Sequence, residues 1–186
     1  MLQAPPIELD ASPVFETFLD LCVATEASID LVEAASVSAG FQQIDFNTPL
    51  RRDVLKLNRR LSFRKEGFFL TAEQFAVLEG KKPTALLNVA SLLAKPVNFV
   101  AVEEQFTAKF GIPNRRDLTG VGIAFASIAG ASAQPTTYDE AHARYEAGEG
   151  DLVVIGLNDV REKIHVPSET TAMSYTRWVR LKEHAQ

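Results

Sequence analysis

The hydrophobic period of this chain changes part-way along, and that change constrains the fold more than any other feature. Up to Gly40 the apolar side chains recur at helical spacing: Phe15, Phe18, Leu19 and Cys22, then Ile29, Val32 and Ala35 or Ser36. Ser12 followed by Pro13 supplies a hydroxyl cap and a proline at the first helical position, and Gly40 stands where a helix needs a left-handed terminator. From Val121 onward the period is two. Val121, Ile123 and Phe125 alternate with Gly122, Ala124 and Ala126, and Met173, Tyr175, Val179 and Leu181 fall at even spacing. Helices first and strands later predict an α+β protein, with N-terminal helices packed on a mainly antiparallel sheet formed largely by the C-terminal half.

Between these regions the signals are local. Phe41 to Phe46 reads as a short strand, and Thr48-Pro49 opens a third helix whose stripe is Leu50, Val54, Leu57 and Leu61. Phe68-Phe69-Leu70 reads as a strand; Thr71 to Gln74 then has capping-box spacing, which predicts a short helix to Leu78 ended by Gly80. Thr84 to Ala94 is apolar on both faces between Pro83 and Pro96, so it fits a buried strand and a buried helix equally. Asn98 to Phe110 is an amphipathic helix with Val102, Phe106 and Phe110 inward, and Thr137 with Glu140 caps another that runs to Ala147. Asp151–Leu157 and Val160–Val166 flank a turn pair, Asn158-Asp159. The 186 residues suffice for one globular domain, which would bury about 70% of its unfolded surface, with residues 1–11 as an N-terminal arm. The longest apolar stretches fall short of the roughly 20 residues that span a bilayer, so no membrane span is expected.

Charge is distributed unevenly. Residues 1–50 hold eight carboxylates and no lysine or arginine, whereas Arg51 to Lys65 holds seven cations against one acid, Asp53. Arg52, Lys56, Arg59, Arg60, Arg64 and Lys65 are therefore the candidate binding residues, placed outside the apolar stripe of the third helix. They suit an acidic protein partner or another anion, unless they pair with the acidic N-terminal helices of the same molecule. Duplex nucleic acid fits poorly, because an overall charge of −5 repels a phosphate backbone.

Local catalytic patterns are missing from the sequence. His142, His165 and His184 stand apart from one another and from the single cysteine, so no zinc spacing occurs, and there is no phosphate-binding glycine loop or nucleophile elbow. No cofactor and no metal is called for. An enzyme would have to assemble its site across the fold, with His142, His165, Tyr175 and Arg177 as its participants. Cys22 reads as a small buried apolar residue. One cysteine fits a reducing cytoplasm, while an opening without a basic start or an apolar run fits a mature exported chain equally.

Phe18-Leu19-Asp20-Leu21-Cys22-Val23-Ala24-Thr25, followed by an alanine-rich helix ending Ala39-Gly40-Phe41, resembles the opening of an uncharacterised group of small bacterial exported proteins. The resemblance covers residues 14–46 and implies export, with no activity attached. That group carries a second cysteine to pair with the first, and this chain has none. The functional expectation is a non-enzymatic binding or assembly protein, acting on an acidic or anionic partner or on a second copy of itself through the basic segment.

Overall fold

A computed structural model describes residues 9–45, 55–95, 97–116, 122–159 and 170–181. The chain begins with helix α1 (Ala11–Phe18), which runs into a π-helical turn (Leu19–Val23), and continues with α2 (Ile29–Ser38). Asp10 caps α1 by accepting the Ser12 N–H at 3.1 Å, so the helix starts just before the serine and proline that mark it in sequence. Gly40 takes a φ of 79° after α2, the left-handed conformation expected of it. The remaining elements are β1 (Gln42–Ile44), β2 (Leu55–Lys65), β3 (Phe68–Glu79), β4 (Lys82–Ala94), α3 (Phe99–Phe110), β5 (Arg115–Arg116), β6 (Gly122–Ile128), α4 (Tyr138–Glu146), β7 (Leu152–Asp159) and β8 (Thr171–Arg180).

Among the described residues all eight strands form one sheet, in the order β1-β2-β3-β4-β8-β7-β6-β5, and every neighbouring pair is antiparallel. The protein is thus α+β, with the N-terminal helices on an antiparallel sheet. One face lies under α1, α2 and α3. There Phe63, Leu70, Leu92, Met173 and Leu157, from five adjacent strands, are fully or almost fully buried with Phe18, Val32, Val102 and Phe106 from the helices. Phe106 joins the layers: its ring lies 5.1 Å from that of Phe15, 5.2 Å from Phe18 and 6.3 Å from Phe125 on β6. The opposite face carries α4, whose Ala141 and Tyr145 pack on Ala126, Ile128 and Leu152. The small residues of β6 therefore do admit a close neighbour.

Two expected helices are strands. The third helix was placed from Thr48 to Leu61; residues 46–54 lie outside the described residues, and Leu55 to Leu61 belongs to β2. A bulge explains the misleading period. Leu57 pairs with Phe75 and Arg59 with Gln74, so Asn58 is an extra residue, and the alternation changes face there. Leu57 and Leu61, four apart as on a helix, project from opposite faces of the sheet. Lys56, Arg59, Arg60, Arg64 and Lys65 are consequently on a strand and not on a helix. The second correction is Thr71 to Leu78: β3 continues unbroken to Glu79 because β2 and β4 flank it, and this pairing overrides a capping-box pattern that has no helix to cap. Gly80, at φ 63°, turns the β3–β4 hairpin instead of ending a helix.

Residues 84–94 are strand, settled by β3 on one side and β8 on the other. Asn158 and Asp159 are not a turn pair but the end of β7, opposite Ala172 and Thr171; the strand expected at Val160–Val166 lies outside the described residues. At the other end of the chain Leu9 bridges to Val97, and a side chain at Gly67 would meet Leu9 Cδ1 at 2.9 Å. With its φ of 75°, Gly67 is the residue that lets the β2–β3 turn close under this bridge. No described helix is long and apolar enough to cross a membrane.

Candidate functional site

The basic residues sort by strand alternation. Arg59, Leu61, Phe63 and Lys65 face the helical layer, while Arg60, Ser62 and Arg64 face the other way. Arg59 reaches α2, where its guanidinium pairs with Asp30 and, at 2.8 Å, with Glu33. The hydrogen bond that Arg59 donates to Asp30 is the chief cause that raises the Arg59 pKa above its ordinary value. Lys65 donates to the Ala39 carbonyl at the end of α2 at 2.8 Å and lies 5.6 Å from the centre of the Phe41 ring. Arg60 is bound to Glu73 directly across the β2–β3 ladder. Three of the six candidate cations therefore have partners within the molecule.

Lys56 and Arg64 differ. Both are exposed, and neither side chain makes an ion pair or hydrogen bond with any described residue. Arg52 lies outside the described residues. β1 pairs only with Ser62, Phe63 and Arg64, so β2 is the outermost described strand from Leu55 to Leu61. An edge lined by lysine and arginine and interrupted by a bulge resists adventitious strand pairing.

Of the residues singled out for a dispersed catalytic site, the three described ones are divided between the two faces of the sheet. Tyr175 and Arg177 lie on the helix-covered face, Tyr175 nearly buried. His142 lies on α4 across the sheet, its ring 4.8 Å from Tyr138. His165 is outside the described residues. Burial is the main cause that raises the Tyr175 pKa, with Glu26 adding to it.

Arg177 belongs to a cluster that sequence reasoning missed. Its Nε and Nη2 donate to Asp151 Oδ2 at 2.9 and 2.7 Å, and Nη1 binds Glu26. Burial alone would lower the Arg177 pKa, but the bond to Asp151 and the charge of Glu26 outweigh it, and the net shift is upward. Glu26 and Ala27 hold φ angles of 51° and 55°, left-handed values that two consecutive non-glycine residues rarely adopt. The strained corner delivers Glu26 to Arg177, so this cluster ties the segment after the π-helical turn to the sheet. Nothing in the local sequence brings Glu26, Asp151 and Arg177 together. Cys22 is fully buried, and burial pushes its thiol pKa far up. Among the described residues no group of three His, Cys, Asp or Glu side chains forms a metal-ligand set.

These features define an α+β protein in which β2, outermost among the described strands from Leu55 to Leu61, is bulged and basic and is partly neutralised by an acidic helix. Protein-family models, curated proteins and solved structures yield no match to this chain.

Proposed function

We propose that the protein is a non-enzymatic binding or assembly protein that recognises an acidic or anionic partner through β2. The supporting observation is the division of its cations: Arg59, Arg60 and Lys65 have partners within the molecule, whereas the exposed side chains of Lys56 and Arg64 have none among the described residues. Surface cations without a described partner are the ones best placed to attract and orient an anion. Arg64 is the stronger recognition element, because its planar guanidinium takes a carboxylate or phosphate with two parallel hydrogen bonds.

Binding to an immobilised polyanion, such as polyglutamate, tests the reading when followed as a function of salt. The wild type is expected to bind at low ionic strength and to release as salt rises. Lys56→Glu/Arg64→Glu should lose that binding, whereas Lys81→Glu/Lys82→Glu, which changes net charge equally at the exposed β3–β4 hairpin, should keep most of it. Equal loss in the two variants would reduce the effect to net charge and remove the role of β2.

A further inference from the structure

The sheet face turned away from α1, α2 and α3 carries a row of hydroxyls that crosses four strands. Ser62 on β2 lies opposite Thr71 on β3, Thr71 opposite Ser91 on β4, and Ser91 opposite Ser174 on β8. In the same register the row continues through Gly156, Ala124 and Arg115 to the far edge of the sheet. α4 packs farther along these strands, against Ala126, Ile128 and Leu152. Gly156 leaves space beside Ser174: a Cβ there would stand 2.8 Å from Ser174 Oγ and would make that hydroxyl turn aside.

None of the four hydroxyls is hydrogen-bonded to a described residue. Thr71, Ser91 and Ser174 are half-buried and open to solvent, but Ser62 is 2% exposed and its Oγ has no hydrogen-bond partner among the described residues. A buried hydroxyl without a partner is a standing cost that a bound oxygen would relieve. Arg64 lies two residues from Ser62 on the same face, exposed and with no side-chain partner among the described residues. At the other end the Arg115 guanidinium, also exposed, lies 4.7 Å from the centre of the Tyr138 ring. The row is thus bracketed by guanidinium groups. Beside it run Phe69 and Leu93 on one side and Val89 on the other.

We infer that this row binds a linear acidic glycan, a chain of uronic-acid sugars lying across the strands. Sugar hydroxyls and the four protein hydroxyls both donate and accept, so they match without a charge. The strands are spaced about 4.8 Å apart, close to the length of a pyranose unit, so successive sugars meet successive side chains. Leu93 and Val89 take the C–H faces of the rings, and the carboxylates go to Arg64 and Arg115. An extended peptide suits the row less well, because its repeating polar groups are amides and the backbone groups of the interior strands are already paired with one another. The assignment rests on the reading of Arg64 as a cation open to an anionic partner, and adds the hydroxyl row to it.

Calorimetric titration of the full chain with hexagalacturonate, cellohexaose and polyglutamate at low salt tests the inference, with circular dichroism to confirm folding of each variant. Hexagalacturonate should bind and cellohexaose should bind at least tenfold more weakly. Ser91→Ala/Ser174→Ala should weaken hexagalacturonate at least tenfold while leaving polyglutamate unchanged, and Thr71→Val supplies an independent variant if the double one misfolds. Ser62→Ala should weaken the same ligand without lowering the melting temperature of the free protein. If the hydroxyl variants bind hexagalacturonate as the wild type does, the row is not a glycan site, although Arg64 keeps its anion-binding role. Equal affinity for cellohexaose overturns the acidic assignment, and failure of the wild type to bind either polyanion overturns this inference and the β2 reading together.

Discussion

Asn114 uses its side-chain amide as a one-residue strand for Ala126: Nδ2 donates to the Ala126 carbonyl at 2.8 Å, and Oδ1 accepts the Ala126 N–H at 2.9 Å. β5 supplies backbone pairing only at Ile123 and Ala124, and Gln134 repeats the amide device at Ile128, accepting its N–H at 3.1 Å. The outer edge of β6 is therefore closed largely by side chains. Asn114→Ala leaves two backbone groups of the nearly buried Ala126 unpaired, a loss of about 2 kcal/mol. Urea denaturation should show a lower midpoint, and native-state hydrogen exchange should show accelerated exchange at the Ala126 amide. Unchanged exchange at that amide would contradict the edge-closing role.

The two internally paired arginines of β2 should differ in their effect on stability. The Arg60 and Glu73 side chains are only 14% and 17% exposed, so Arg60→Ala strands a carboxylate in a poorly hydrated place and should cost about 2 kcal/mol. Arg59 and Asp30 are largely in solvent, and Arg59→Ala should change the urea midpoint much less. Equal losses would mean that burial does not set the strength of these pairs.

Much of this architecture is legible in the sequence, and what is not has specific causes. α1, α2, α3 and α4 announce themselves because caps and apolar stripes act within a few residues, as with Asn98 before Val102 and Phe106. β2 is obscured by the bulge at Asn58, which spaces Leu57 and Leu61 like a helix, and β3 by a threonine and a glutamine, Thr71 and Gln74, at capping-box separation. The pairing of β4 with β8 depends on contacts far apart in sequence, and so does the meeting of Glu26, Asp151 and Arg177. The basic candidates stand out by composition alone, but only the register divides Arg60 and Arg64 from Arg59 and Lys65. The hydroxyl row is invisible before the strands are aligned, since its members sit in four separate segments.

Cys22 should be inert in the native protein. Its thiol is fully buried, and burial raises its pKa above the ordinary value of 9.0. A folded-state pKa above the unfolded one gives stability that is intact below about pH 9 and is lost as pH rises, because the unfolded chain ionises its thiol first. Cys22→Ala should therefore flatten the alkaline limb of a stability profile, and a thiol-specific reagent should label the wild type only as fast as it unfolds. Rapid labelling at neutral pH without unfolding would contradict this.

At the acid end Glu140 works in the opposite sense. Its carboxylate accepts the Thr136 N–H at 2.8 Å and the Thr136 hydroxyl at 2.9 Å, and the backbone bond chiefly lowers its pKa from the ordinary 4.5. Such a group contributes stability above the unfolded value and loses it as pH falls through the folded one. Glu140→Gln should be less stable than the wild type at neutral pH, with the difference shrinking below pH 4.5. A difference that persists unchanged through that range would assign the effect to packing.

The central claim is that the unpaired cations of β2, not its paired ones, meet an anionic partner. The salt dependence of polyanion affinity for Lys56→Ala/Arg64→Ala, measured beside Arg59→Ala and the wild type, tests it most directly. Removing Lys56 and Arg64 should lower low-salt affinity at least tenfold and flatten the slope of log affinity against log salt. Arg59→Ala should leave both nearly unchanged, since that guanidinium is already committed to Asp30 and Glu33. An Arg59→Ala variant that loses binding while Lys56→Ala/Arg64→Ala retains the wild-type slope would contradict the account.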